Sequence, residues 1–172
     1  QIAAIETADL VKMTTAQIAA LVTSQMTGFT TDQIASLTSA QIQAIETPDL
    51  QKLTSAQIVA LTTAQIPVLT TDQVVALTTD QVKVIETADI QRLTTAQVAS
   101  LTDGQVPALT SAQMQALSTD QLDAMTSAQI QALRSDVLTN MSSEQVSSLS
   151  TDHIVALTQP QFEAFTPEQV TW

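Results

Sequence analysis

The chain has 172 residues, of which 44% are apolar, so it is long enough to bury a core, and it contains no cysteine for a disulfide framework. Seventeen acidic residues against five basic ones give a net charge of −12, which disfavours nucleic acid and anionic lipid as partners. No apolar run approaches the roughly 20 residues that a membrane-spanning helix needs, so we expect no membrane insertion.

Tandem repeats organise the whole chain. After the first four residues it divides into 21 octads without insertion or deletion, with the consensus Leu-Thr-Thr-x-Gln-Ile-x-Ala. Positions one and six are apolar in every octad, whereas position seven varies. We therefore predict one repeat array over residues 1–172, with positions one and six in the core and position seven facing solvent.

A continuous helix cannot carry this period. Eight residues advance an α-helix by about 800°, so the apolar stripe would drift by about 80° in each octad. Thr or Ser at position two, with Gln three residues later, is the capping-box pattern that starts a helix. The sequence therefore predicts an all-α fold, a solenoid or superhelix of very short capped helices with one helix in each octad.

The clearest consensus octads supply the candidate structural residues. The predicted helix caps are Thr14, Thr30, Thr54, Thr62, Thr70, Thr78, Thr94, Gln17, Gln33, Gln57, Gln65, Gln73, Gln81 and Gln97. The predicted core residues are Leu37, Leu53, Ile58, Leu61, Ile66, Leu69, Val74, Leu77, Val82, Leu93 and Val98.

A longer repeat of 40 residues overlies the octads in residues 5–124. The octad at 5–12 recurs at 45–52 and 85–92. Five octads per superhelical turn would stack Glu6, Glu46 and Glu86, and like charges in a row are unfavourable. We therefore interpret the 40-residue period as a record of duplication and not as the geometry of the coil.

Prolines modify three of these octads. Pro48 indicates a cap shifted to Thr47 in the octad at 45–52. Pro67 and Pro107 stand at position seven, where a two-turn helix needs an amide donor, so their octads are predicted to be single turns that end early.

Beyond residue 124 the repeats are degenerate, over residues 125–172. The octad at 133–140 loses both capping residues, which leaves neutral drift, a local kink or a contact point as interpretations. Phe162, Phe165 and Trp172 gather near the end, where they could seal an exposed core or continue into a following domain.

No motif for catalysis or for a cofactor is evident. His153, the single histidine, stands at the Gln position of its octad, and we interpret it as a substitute cap or surface residue because no nucleophile turn or oxyanion loop accompanies it. Carboxylates are spread through the octads, without a calcium-binding loop, and the five methionines fall at core positions. We expect no enzyme activity, no metal and no cofactor.

Two octads carry a family resemblance. Leu-Thr-Thr-Ala-Gln-Ile at 61–66 and Leu-Thr-Thr-Asp-Gln-Val at 69–74 are similar to tandem arrays in very large secreted or surface proteins of proteobacteria, often labelled adhesin-like or haem-utilisation-like. The resemblance implies an extracellular or cell-surface location and other domains of a parent polypeptide as partners. For haem iron the sequence offers at most His153 and methionines as ligands.

Three functions remain open on the sequence alone. The favoured one is a structural spacer or display segment. The second is a module that binds a protein or glycan, which an exposed apolar patch of several hundred Å² would support. The third is a self-assembling filament, which requires two mutually complementary ends.

Overall fold

The computed structural model describes residues 2–170, and these contain no β-strand. Three 3₁₀ turns occupy Ile2–Ala4, Ile66–Val68 and Val106–Ala108. The eighteen α-helices in this part of the chain are four to six residues long: α1 Thr7–Leu10, α2 Thr15–Ala19, α3 Thr23–Met26, α4 Thr31–Ser36, α5 Ser39–Gln43, α6 Thr47–Leu50, α7 Ser55–Val59, α8 Thr71–Ala76, α9 Thr79–Val84, α10 Thr87–Ile90, α11 Thr95–Ser100, α12 Ser111–Ala116, α13 Thr119–Asp123, α14 Ser127–Ala132, α15 Ser135–Leu138, α16 Ser143–Ser147, α17 Thr151–Ala156 and α18 Gln159–Glu163.

After the six-residue helices, two extended residues make the corner to the next element. After α8, Leu77 has φ −58° and ψ 136°, and Thr78 has φ −72° and ψ 159° before α9 begins. Both conformations are open to any L-amino acid. Throughout residues 2–170 there is no positive φ and no cis peptide bond, so the chain reverses direction without glycine-dependent turns.

The chain forms two compact units, residues 1–85 and residues 86–172. Within the first unit α1 packs on α4, α2 on α5, α3 on α6 and α4 on α7. Within the second, α12 packs on α15, α13 on α16, α14 on α17 and α15 on α18. When the 3₁₀ turns are counted as elements, each of these elements packs on the element three places further on, as α6 does on α8 and α10 on α12, which is the packing of a solenoid of short helices.

The apolar positions of the octad form the core. All eleven predicted core residues are buried, with at most 7% of their surface exposed. Position seven is exposed at Gln43, Val75, Lys83, Asp123 and Glu163. Each octad therefore has an inner side at positions one and six and an outer side at position seven.

Two features of the helices differ from the sequence prediction. The octads at 61–68 and 101–108 contain a 3₁₀ turn and no α-helix, and because this turn covers the last three residues of each octad, the predicted early end is wrong. Pro67 and Pro107 have no N–H with which to extend the first turn. The cap shift to Thr47 is also wrong, because Glu46 is the N-cap residue of α6 and Thr47 is its first helical residue.

Candidate functional site

The most extensive polar arrangement in the molecule is a row of buried glutamines at position five of the octads. We call it the glutamine ladder and define it by the residues whose amide groups reach an earlier coil of the same unit. Each of its members is at most 5% exposed: Gln33, Gln41, Gln57, Gln65, Gln73, Gln81, Gln121, Gln129, Gln145, Gln161 and Gln169.

Gln73 shows how one side chain serves two purposes. Its Oε1 accepts the N–H of Thr70 at 2.9 Å, and its own N–H donates to Thr70 Oγ1 at 3.1 Å, which completes a capping box at the start of α8. Its Nε2 donates to the carbonyl oxygens of Ile42 at 2.8 Å and Ile45 at 2.9 Å. The same amide therefore starts its own helix and joins it to the preceding coil.

The spacing of these bonds is constant along both units. Each ladder amide donates to carbonyls 31 and 28 residues earlier, as Gln41 does to Leu10 and Met13, and Gln129 to Val98 and Leu101. The accepting carbonyls belong to position six of one octad and position one of the next. One coil within each unit therefore takes about 30 residues, just under four octads, and not the five octads of the 40-residue period.

The predicted caps take the following places. The hydroxyl groups of six of the seven threonines accept the N–H of the glutamine three residues later: Thr14, Thr30, Thr54, Thr70, Thr78 and Thr94. Thr62 differs from the prediction. Its N–H donates to Gln65 Oε1 at 2.8 Å, but the N–H of Gln65 bonds the Thr62 carbonyl, also at 2.8 Å.

The link from glutamine to the preceding coil was missed by the sequence analysis. Glu and Gln serve equally well as the acceptor in a capping box. Gln stands at position five in 16 octads, and Glu in none. Since only the amide carries N–H donors, the exclusion of Glu was the available signal for a second hydrogen-bonding task.

Three octads have aspartate at position five, and two of these carboxylates are buried. Asp49 accepts the hydroxyl of Thr23 at 2.6 Å. Asp89 is 3% exposed, and its Oδ1 has no hydrogen-bond partner. Burial, with a smaller contribution from the charge of Glu86, raises the pKa of Asp89 from 3.8 to about 6.

His153 takes the place of a ladder glutamine in α17. Its ring Nδ1 lies 3.3 Å from the N–H of Ser150, and Nε2 lies 2.7 Å from the carbonyl oxygen of Met125, 28 residues earlier. The neutral ring with its proton on Nε2 satisfies both contacts. The side chain thus caps a helix and reaches the preceding coil, as the glutamines do.

Other features that could host a ligand are few. A shallow groove of about 450 Å³ in the first unit is lined in part by Gln43, Glu46, Thr47, Thr70 and Asp72. Within residues 2–170, no group of three or more His, Cys, Asp or Glu side chains is arranged to hold a metal ion. None of the helices in the same residues is both long and apolar enough to cross a membrane.

Comparison with known proteins agrees with the repeat geometry. The sequence model described as the ALTTAQ repeat matches residues 2–39, 42–79, 82–119 and 108–135. The first three matches begin 40 residues apart, in step with the longer repeat of the sequence. No curated protein matches the chain. The matches cover well over half of the sequence, and the chain belongs to the ALTTAQ repeat family.

Proposed function

We propose that the chain is a structural spacer or display region of a secreted or cell-surface bacterial protein and has no catalytic activity of its own. The observation that carries this proposal is the glutamine ladder. The buried glutamine amides are the most conspicuous polar groups of the octads. They donate to backbone carbonyls of the same unit and so hold its coils together.

The energetics of a single octad support this role. Ordering eight residues costs about 8–16 kcal/mol, whereas burying two aliphatic side chains returns about 3–6 kcal/mol. An octad therefore depends on its neighbours, and the ladder supplies directional bonds between them. Such a region can vary in length by whole octads while its outer positions change freely.

The spacer role is tested by placing the chain between two fluorescent proteins and measuring the distribution of energy transfer in single molecules. A spacer gives one narrow distribution that is insensitive to salt and to moderate denaturant. A Gly/Ser linker of equal length is the control, because such a linker samples many end-to-end distances. A distribution as broad as that of the control would contradict the proposal.

The proposed location follows from the resemblance to octad arrays of secreted and surface proteins. The absence of cysteine in the sequence is compatible with folding outside the cell without oxidation. Antibodies against the chain are expected to label intact cells of the source bacterium. Labelling that appears only after permeabilisation would contradict a surface location.

A module that binds a protein or glycan is less well supported. The exposed large apolar side chains in the middle of the array are single valines in separate octads, such as Val22, Val59 and Val75. Isolated apolar side chains of this kind are ordinary on protein surfaces and do not mark an interface.

A further inference from the structure

Helix α15 lacks the polar contacts that secure the starts of its neighbours. Its N-cap residue Arg134 makes no side-chain cap hydrogen bond, whereas the hydroxyls of Thr126 and Ser142 cap α14 and α16. Val137 occupies the ladder position and has no amide, so the two carbonyls that lie 31 and 28 residues earlier receive no side-chain amide from residues 2–170. The first turn of α15 therefore has neither a cap nor a link to the preceding coil.

The first backbone hydrogen bond of α15 is also long. The bond from the N–H of Leu138 to the carbonyl oxygen of Arg134 measures 3.4 Å between nitrogen and oxygen. The matching bonds of Ile130 in α14 and Val146 in α16 measure 3.0 Å. Backbone hydrogen bonds longer than about 3.2 Å are weaker than the usual ones. We therefore expect the first turn of α15 to open more readily than those of its neighbours.

The end of α15 is held more firmly than its start. Gln115 Nε2, from α12, donates to the carbonyl of Asn140 at 2.7 Å. Asn140 Nδ2 in turn donates to the carbonyl of Asp136 at 2.7 Å. Opening is therefore expected to begin at the first turn, next to Arg134.

Arg134 differs from the other lysines and arginines in its backbone. It is extended, with φ −75° and ψ 143°, and 48% of its side chain is exposed. Lys83 lies inside α9, and three others lie in hydrogen-bonded turns that follow short helices: Lys12, Lys52 and Arg92. An endopeptidase binds its substrate as an extended chain, so a basic residue within a helix or turn is cleaved only after that element opens. Arg134 already has the required conformation, and the helix after it begins with a weak turn.

We propose that the peptide bond between Arg134 and Ser135 is a cleavage site for an endopeptidase that recognises basic residues. When α15 opens, the residues on both sides of this bond are extended and accessible. The water oxygen then joins the carbonyl carbon of Arg134, the C–N bond breaks, and both protons of the water end on the nitrogen of Ser135. The products are a carboxylate at residue 134 and an ammonium group at residue 135. The site is independent of the spacer function, because hydrolysis requires only the local opening of one helix.

Limited digestion with trypsin under native conditions tests the site. Mass spectrometry should show fragments 1–134 and 135–172 as the first products. The cut after Arg134 should be about tenfold or more faster than the cuts after Lys52, Lys83 and Arg92, because cleavage of a transiently opened state follows the population of that state. These three residues are internal controls, since each lies between whole octads as Arg134 does. A faster first cut at any of them would overturn the proposal.

Two variants separate the opening of α15 from the mere presence of an extended arginine. Val137→Gln keeps Arg134 and supplies a capping acceptor and two donors for the preceding coil, so the cut after Arg134 should slow by about tenfold or more. Thr126→Arg places an arginine in the same extended corner before α14, where Gln129 still donates to the preceding coil. The new site should be cut about tenfold or more slowly than Arg134. Equal rates in either comparison would contradict the proposal.

Hydrogen exchange in the parent chain measures the opening without a protease or a variant. The amide of Leu138 should exchange about tenfold or more faster than the amides of Ile130 and Val146, which hold the same octad position. Equal protection of the three amides would show that α15 opens no more readily than its neighbours and would overturn the proposal.

Discussion

At the scale of single residues, glutamine at position five does what glutamate could not. Both can close a capping box, but only the amide also donates to carbonyls of the preceding coil. Sequence reasoning identified the caps from spacing alone, since a capping box is a local pattern. The bonds to the preceding coil depend on which carbonyls lie 28 and 31 residues back, a distance that no local pattern contains.

Removing one ladder amide should cost more than removing the hydroxyl beside it. Gln73→Ala deletes the capping acceptor and two bonds to Ile42 and Ile45, so we expect a loss of about 2–4 kcal/mol in the free energy of unfolding. Thr70→Ala deletes one capping acceptor and should cost about 1 kcal/mol. Urea titration of both variants gives the comparison. Equal losses would show that the bonds between coils add nothing to the stability.

The buried carboxylate of Asp89 should make stability depend on pH. Its pKa is about 6 in the folded chain, against 3.8 as its ordinary value, so between these values the folded chain binds a proton that the unfolded chain lacks. Stability from this group is therefore present below about pH 4 and is lost as the pH rises through 6. The loss at neutral pH is on the order of 3 kcal/mol.

Asp89→Asn removes this dependence and is expected to raise the urea midpoint at pH 7.5 relative to the parent chain, while changing it little at pH 4. Glu86→Gln removes the smaller cause of the raised pKa and should flatten the profile only in part. The urea midpoints of the parent chain and of both variants are measured between pH 4 and pH 7.5. Parallel profiles for the parent and Asp89→Asn would contradict the assignment.

At the scale of the helix, each element is too short to be stable alone. What the sequence specifies most clearly is the residue at which each helix begins. The capping residues fix where α8 and α9 begin, and Leu77 and Thr78 turn the chain between them. This much was predictable from the octad. The 3₁₀ turns at 66–68 and 106–108 were not predicted, because the missing N–H of proline shows which α-helical bond is lost but not how the chain continues.

Helix α15 offers a place where the ladder is interrupted. Arg134 and Val137 occupy the two capping positions of its octad, and the carbonyls of Val106 and Leu109, 31 and 28 residues before Val137, receive no side-chain amide from residues 2–170. Helix α15 nevertheless forms, with Val137 buried. The octad therefore keeps its place without a cap, through the burial of Val137 and a hydrogen bond of 2.7 Å from Gln115 Nε2 to the carbonyl of Asn140.

Restoring the consensus here should stabilise the second unit. Arg134→Thr with Val137→Gln supplies a capping box and two donors for the carbonyls of Val106 and Leu109, and we expect a gain of about 1–2 kcal/mol in the free energy of unfolding. Arg134→Thr alone, which adds no donor, is the control. A double variant less stable than the parent chain would show that burying Val137 matters more than the missing bonds.

At the scale of the whole molecule, two periods coexist without conflict. The sequence repeats with a period of 40 residues, whereas a coil within each unit takes about 30. Both are compatible because most octads offer the same glutamine donor and the same carbonyl acceptors, so a coil can begin at most of them. The sequence shows the 40-residue period directly, but the coil length follows from packing angles that the octad alone does not reveal.

Deletions in and out of phase with the octad should therefore differ sharply. Removing residues 45–84 joins one octad boundary to another and keeps every position in step, so the shortened chain should retain its helical circular dichroism and a melting temperature close to that of the parent. Removing residues 45–80 places apolar positions where capping residues belong and should lower the melting temperature or abolish the transition. Similar melting of both deletions would contradict the octad as the unit of folding.

The absence of left-handed backbone from the corners has a consequence for how such arrays change. Because residues 2–170 include no left-handed backbone, no corner depends on a particular residue type for its conformation. Recombination can insert new octads without requiring new loop conformations, and the exposed outer positions can be substituted one by one. The backbone conformation of the octads therefore stays constant, while the side chains at the outer positions are free to change.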